Sequence, residues 1–179
     1  MSEEIVPDEK NWTWVLEREC TDCGFDAPRF PVGRTAETVR DIGARWARVL
    51  EQDGVRERPS PAVWSPLEYG CHVRDVFLIF DVRLGMMLGS VDPGFENWDQ
   101  DATAVEQDYG NQDPVAVAAE LVAASGALAD RYATVTGEQW KRRGFRSDGS
   151  VFTVESMARY MLHDPVHHLW DVGAEVPRH

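Results

Sequence analysis

Apolar residues recur along this chain at intervals of three and four, and four stretches hold that rhythm long enough to predict helices. The first covers about 36–53, where Val39, Ile42, Trp46, Val49 and Leu50 make one stripe and Gly54 ends it. The second opens at "WSPLE", where Ser65 can cap, Pro66 suits the first helical position and Glu68 completes a Ser-x-x-Glu capping box. Val73, Phe77, Phe80, Leu84 and Met87 carry its core face to about residue 88. A third helix is predicted from Asp113 as cap and Pro114 as first residue to about Ala133, and a fourth from Thr153 as cap through Val154, Met157 and Met161. No run alternates convincingly as a strand does, so the pattern predicts an all-α fold. The polar connection from Gly89 to Asp113 is too long for a tight turn and is expected to cross one end of the domain, where such loops often border sites.

The fourth helix contains a contradiction. Pro165 lies inside "YMLHDPVHHLWDV", and an interior proline removes a hydrogen bond and clashes with the preceding turn. Either the helix kinks there or a new one starts with Asp164 as cap. One phase runs through Tyr160, His163, His167 and Trp170, which favours a single kinked helix.

Composition sets the scale. The chain has 179 residues, 43% of them hydrophobic, enough to bury one core in one domain. A formal net charge of −13 disfavours nucleic acid and anionic membranes as partners. The most apolar run, "VFLIFDVRLGMMLGSV", is interrupted by Asp81 and Arg83, so no membrane span is expected. The acidic start "MSEEIVPDEK" has neither block of a secretory signal, and a cytoplasmic protein is expected. Three cysteines, an odd number, do not suggest a disulfide framework.

The candidate chemistry lies in the histidines. On a helix His163 and His167 share a face one turn apart, and His72 on the second helix can supply a third nitrogen. Three neutral imidazoles suit a divalent cation with positions left open, Zn2+ first and Ni2+ or Fe2+ as alternatives. Glu68 and Asp75, four and three residues from His72, and Asp171, four from His167, are the candidate orienting carboxylates. Cys20 and Cys23 admit three readings: reduced thiols in a turn closed by Gly24, half of a second metal site, or a redox pair. Arg142, Arg143 and Arg146 cluster before the fourth helix, and Arg146 is the candidate contact for an anionic substrate. Such a metal can activate water for hydrolysis or hold a small thiol as thiolate for transfer.

"WSPLEYGCHVRD" and "GFRSDGSVFTVESMARYMLHDPVHHLWDV" together resemble the DinB-like superfamily, which includes mycothiol-dependent maleylpyruvate isomerases and other thiol S-transferases. The resemblance implies an up-down-down-up four-helix bundle over residues 36–179, preceded by an N-terminal extension, 1–35, packed on it. It places the metal on His72, His163 and His167. It also implies a thiol S-transferase or isomerase in which a low-molecular-weight thiol such as mycothiol attacks an electrophilic small molecule. A metal-dependent hydrolase and a non-catalytic metal-binding stress or interaction protein stay open, as does a homodimer. Two features depart from the family pattern: the extension itself, and Pro165 inside His-x-x-x-His, which leaves His168 as a substitute ligand.

Overall fold

The computed structural model describes residue 5 and residues 11–177; the rest of the acidic N-terminal stretch and His179 lie outside the described residues. Four long helices form the bundle: α1 (Thr35–Leu50), α2 (Pro66–Gly89), α4 (Pro114–Ala133) and α5 (Val154–Asp171), with a short α3 (Gln100–Glu106) in the connection between α2 and α4. The starts follow from local chemistry. At α2 the Ser65 hydroxyl accepts the Glu68 N–H at 3.3 Å, and the Glu68 carboxylate accepts the Ser65 N–H at 2.8 Å. Asp113 caps α4 through the Val115 N–H, and Thr153 caps α5 through the Ser156 N–H.

α1 buries Val39, Ile42 and Trp46 completely and lies along α4, which in turn lies along α2. Each large apolar side chain so removed from water contributes about 1.5–3 kcal/mol. Close approach of α1 to α4 depends on Gly43, where an added Cβ would stand 2.2 Å from the Ser125 hydroxyl oxygen. α5 runs as one helix through Pro165, so the restart at Asp164 does not occur. The Pro165 carbonyl accepts a 3.1 Å hydrogen bond from the buried indole of Trp46, a tertiary contact at the weakened turn.

The all-α four-helix bundle is as expected, with one addition that the hydrophobic pattern does not show. A small sheet of order β1-β2-β3 joins β1 (Gly94–Phe95), β2 (Arg143–Arg146) and β3 (Val151–Thr153), with β1 parallel to β2 and β2 antiparallel to β3. Strands this short show no alternation to read. Gly144 lets β2 sit against the bundle, since a Cβ there would come within 2.6 Å of Phe95 and 2.9 Å of Met87.

Residues 11–34 lie against α5 in three 3-10 turns, with Val15, Phe25 and Phe30 buried and the Arg159 guanidinium donating to the Phe30 carbonyl. Among the described residues, no helix is long and apolar enough to cross a membrane.

Candidate metal centre

α5 buries Ala158, Met161, Leu162, Pro165, Val166 and Leu169 as one stripe. At 100° per residue, two pairs spaced by four flank that stripe on opposite sides: His163 with His167, and Asp164 with His168. The second pair faces α2. There His72, Asp164 and His168 each bring one donor atom into a group whose members lie within 4.8 Å of one another. His72 Nε2 is 3.0 Å from Asp164 Oδ1, and His168 Nε2 is 3.6 Å from the same oxygen. The first pair faces the N-terminal segment, where His163 and His167 join Cys20 and Cys23 in a second such group.

The histidine trio expected from the sequence is therefore divided between two groups. His72 meets the neighbours of the two α5 histidines named with it, because Asp164 and His168 repeat the same spacing one residue later. His168, the substitute, is the histidine that faces α2.

The electrostatics of the first group favour a cation. The His168 Nδ1–H donates to Asp171 Oδ2 at 2.7 Å, which leaves Nε2 with its lone pair facing the Asp164 carboxylate. Two acceptors facing each other need a proton or a metal between them. Burial opposes charge on Asp164, and positive charge on the imidazoles of His72 and His168 outweighs it and holds the carboxyl well below its usual range, so the carboxylate is stable only with a proton or a cation beside it. His72 Nδ1 is buried with no hydrogen-bond partner among the described residues. Trp98 stacks flat on the His72 ring, 5.1 Å away at 6°, and Tyr69 lies 4.6 Å from the His168 ring. One carboxylate and two imidazoles suit a divalent cation and leave room for an exogenous ligand.

Other candidates fall elsewhere. Glu68 is held by its capping role and by an ion pair with Arg58, and Asp75 by Arg74 and the Tyr109 hydroxyl, so neither orients His72. Asp171 is 3.9 Å from His167 Nε2 but much closer to His168. Arg142 and Arg143 are bound to the end of α2 and the loop after it, Arg142 through the Met87 and Ser90 carbonyls and Arg143 through Asp92. Arg146 alone of that cluster turns inward, buried and paired with Asp148 and the Tyr160 hydroxyl.

Two cavities meet at Asp164. One, about 90 Å³, is bordered by Trp12, Gln100, His163, His167 and His168; the other is bordered by Trp98, Arg83 and Arg146. Arg83 was not legible as a site residue. It is buried, donates to the Glu96 carbonyl at 2.8 Å and rests on the Phe80 and Phe95 rings. Among the described residues no carboxylate pairs with it, and burial together with the charge of Arg146 pushes its pKa down to about 10. It remains a cation at neutral pH.

The family model of the DinB superfamily matches residues 35–172, the bundle with its two candidate motifs. The chain belongs to the DinB superfamily. No curated protein matches it. Among solved structures it is similar to YfiT from Bacillus subtilis, described as a probable metal-dependent hydrolase with an unusual four-helix bundle topology, at 18% identity and a TM-score of 0.68. That likeness covers 96% of this chain and 95% of the other, so the chain shares the neighbour's fold.

Proposed function

We propose that this DinB protein is a metal-dependent enzyme for small anionic substrates, with His72, Asp164 and His168 as the metal ligands and a low-molecular-weight thiol as the nucleophile. The observation that carries the reading is the pair Arg83 and Arg146, buried in a cavity that Asp164 also borders. Two guanidinium groups beside a cation site attract and orient a carboxylate or similar anion.

A divalent cation bound there would supply Lewis acidity and lower the pKa of a coordinated thiol or water. The chain's own residues do the rest. Asp171 fixes the tautomer of His168, Trp98 covers the His72 ring against solvent, and Arg83 holds the substrate anion. No cysteine competes as nucleophile, since Cys71 is buried with its sulfur directed at the Tyr109 carbonyl and Cys20 and Cys23 belong to the other group. The attacking atom then comes from outside.

The description of YfiT favours a second reading, hydrolysis by activated water at the same ligands. The two separate in one assay: incubate metal-loaded protein with mycothiol, bacillithiol or glutathione and common electrophiles, and separately with esters and amides without thiol. Thiol transfer requires consumption of one particular thiol that chelation abolishes. Equal turnover without thiol establishes hydrolysis, and no turnover in either arm leaves a metal-binding protein without catalysis.

A further inference from the structure

The group on the neighbouring face of α5, about 100° round the helix, has its own chemistry. Cys20 and Cys23 stand in "CTDCGF", where the Gly24 N–H donates to the Cys20 carbonyl at 2.8 Å, the Cys20 N–H donates to the Phe25 carbonyl at 3.0 Å, and Gly24 adopts φ +74°. That positive φ suits glycine and closes the turn so that both sulfurs point the same way. Burial pushes the Cys23 thiol up to about 12, and a backbone hydrogen bond from Phe25 offsets only part of that rise. Both cysteines are buried, at 1% and 6% exposure, and are unbonded to one another.

Across from them His163 and His167 face the turn one helical step apart. Cys20 Sγ is 3.5 Å from His167 Nδ1, and all four donor atoms lie within 4.8 Å of each other. A tetrahedral zinc with bonds of about 2.0–2.3 Å has ligand-to-ligand edges of about 3.3–3.8 Å, so the four need little movement to close on one ion. His163 Nε2 is buried without a hydrogen-bond partner among the described residues, a costly state for a ring nitrogen.

We propose that Cys20, Cys23, His163 and His167 form a closed Cys2His2 zinc site that fastens the N-terminal segment to α5. Four protein ligands leave no open position, which makes the site structural. On binding, the two thiols lose their protons to solvent and both histidines coordinate in neutral form. Burial already favours neutral imidazoles, pushing His163 down to about 4 and His167 downward as well.

The site has a reason to exist in this fold. Residues 11–34 contain only short 3-10 turns, which hold poorly alone. Trp12, carried by this segment, lies 5.5 Å from the His163 ring and 5.4 Å from the His167 ring and also borders the cavity at Asp164 and His168. The staple therefore fixes one wall of the other centre, and it fixes the rotation of α5 that turns Asp164 and His168 toward His72.

The test is cobalt substitution in the full chain, read by absorption and independent of any activity. Tetrahedral coordination with two thiolates gives intense visible d–d bands and a near-ultraviolet sulfur-to-cobalt band. Wild type and His72→Ala should both show them, and Cys20→Ser/Cys23→Ser should lose them together with one equivalent of metal. Cys23→His keeps four donors and should retain the cobalt with about half the sulfur-to-cobalt intensity, as expected for one thiolate of two. A wild type without a sulfur-to-cobalt band, or a double variant with undiminished metal, overturns the proposal. So does purified protein in which Cys20 and Cys23 are joined as a disulfide and bind no metal after reduction.

Discussion

Asp164 Oδ1 lies 3.0 Å from His72 Nε2 across the gap between α5 and α2, and it is also the oxygen nearest His168 Nε2. One carboxylate oxygen between two imidazoles makes Asp164 the pivot of the proposed centre. Replacing it with alanine should remove the metal of that centre, whereas Asp164→His, which supplies a nitrogen at the same place, should retain it. Metal analysis of the two variants checks this, and equal metal in Asp164→Ala and wild type would rule the ligand out.

Asp171 acts through His168 Nδ1. Removing such an outer partner typically costs about 10–100-fold in metal affinity. Asp171→Asn should weaken metal binding by that order in a chelator competition titration while leaving the Cys2His2 group loaded.

Arg83 is expected to hold the substrate anion before and during reaction alike. Arg83→Gln should raise KM for an anionic substrate much more than it lowers kcat, and should leave an uncharged analogue nearly unaffected. Steady-state kinetics on the two substrates distinguish this from general damage, which would lower kcat for both.

Chelation should destabilise the fold, because a metal bound only by folded protein adds RT ln(1 + [L]/Kd), about 4 kcal/mol at a thousandfold excess over Kd. The melting temperature should fall on treatment with a strong chelator and recover on adding zinc. An unchanged melting curve, with metal loss confirmed, would contradict a structural ion.

Most of the fold could be read from the chain. Ser65, Asp113 and Thr153 announced three helix starts because side-chain caps are local, and the apolar stripe of α1 announced its core face. The small sheet was hidden because its strands are too short to carry a period, and β1 meets β2 from far along the chain. The candidate site was legible as residue types and spacing, but not as a grouping. His163 with His167 and Asp164 with His168 satisfy the same four-residue rule, and tertiary contacts, the packing of Leu162, Val166 and Leu169 among them, decide which pair turns to α2. Asp164 looked like a cap for a restarted helix because Pro165 follows it. Arg83 looked like an interruption in an apolar run, since nothing local says that its guanidinium reaches a cavity shared with residue 146.

The most direct measurement is anomalous diffraction at the zinc edge from crystals of the full chain grown with zinc. The expected result is two peaks on neighbouring faces of α5, one among His72, Asp164 and His168 and one among Cys20, Cys23, His163 and His167. A single peak ligated by His72, His163 and His167, or no peak beside Asp164, would contradict the account.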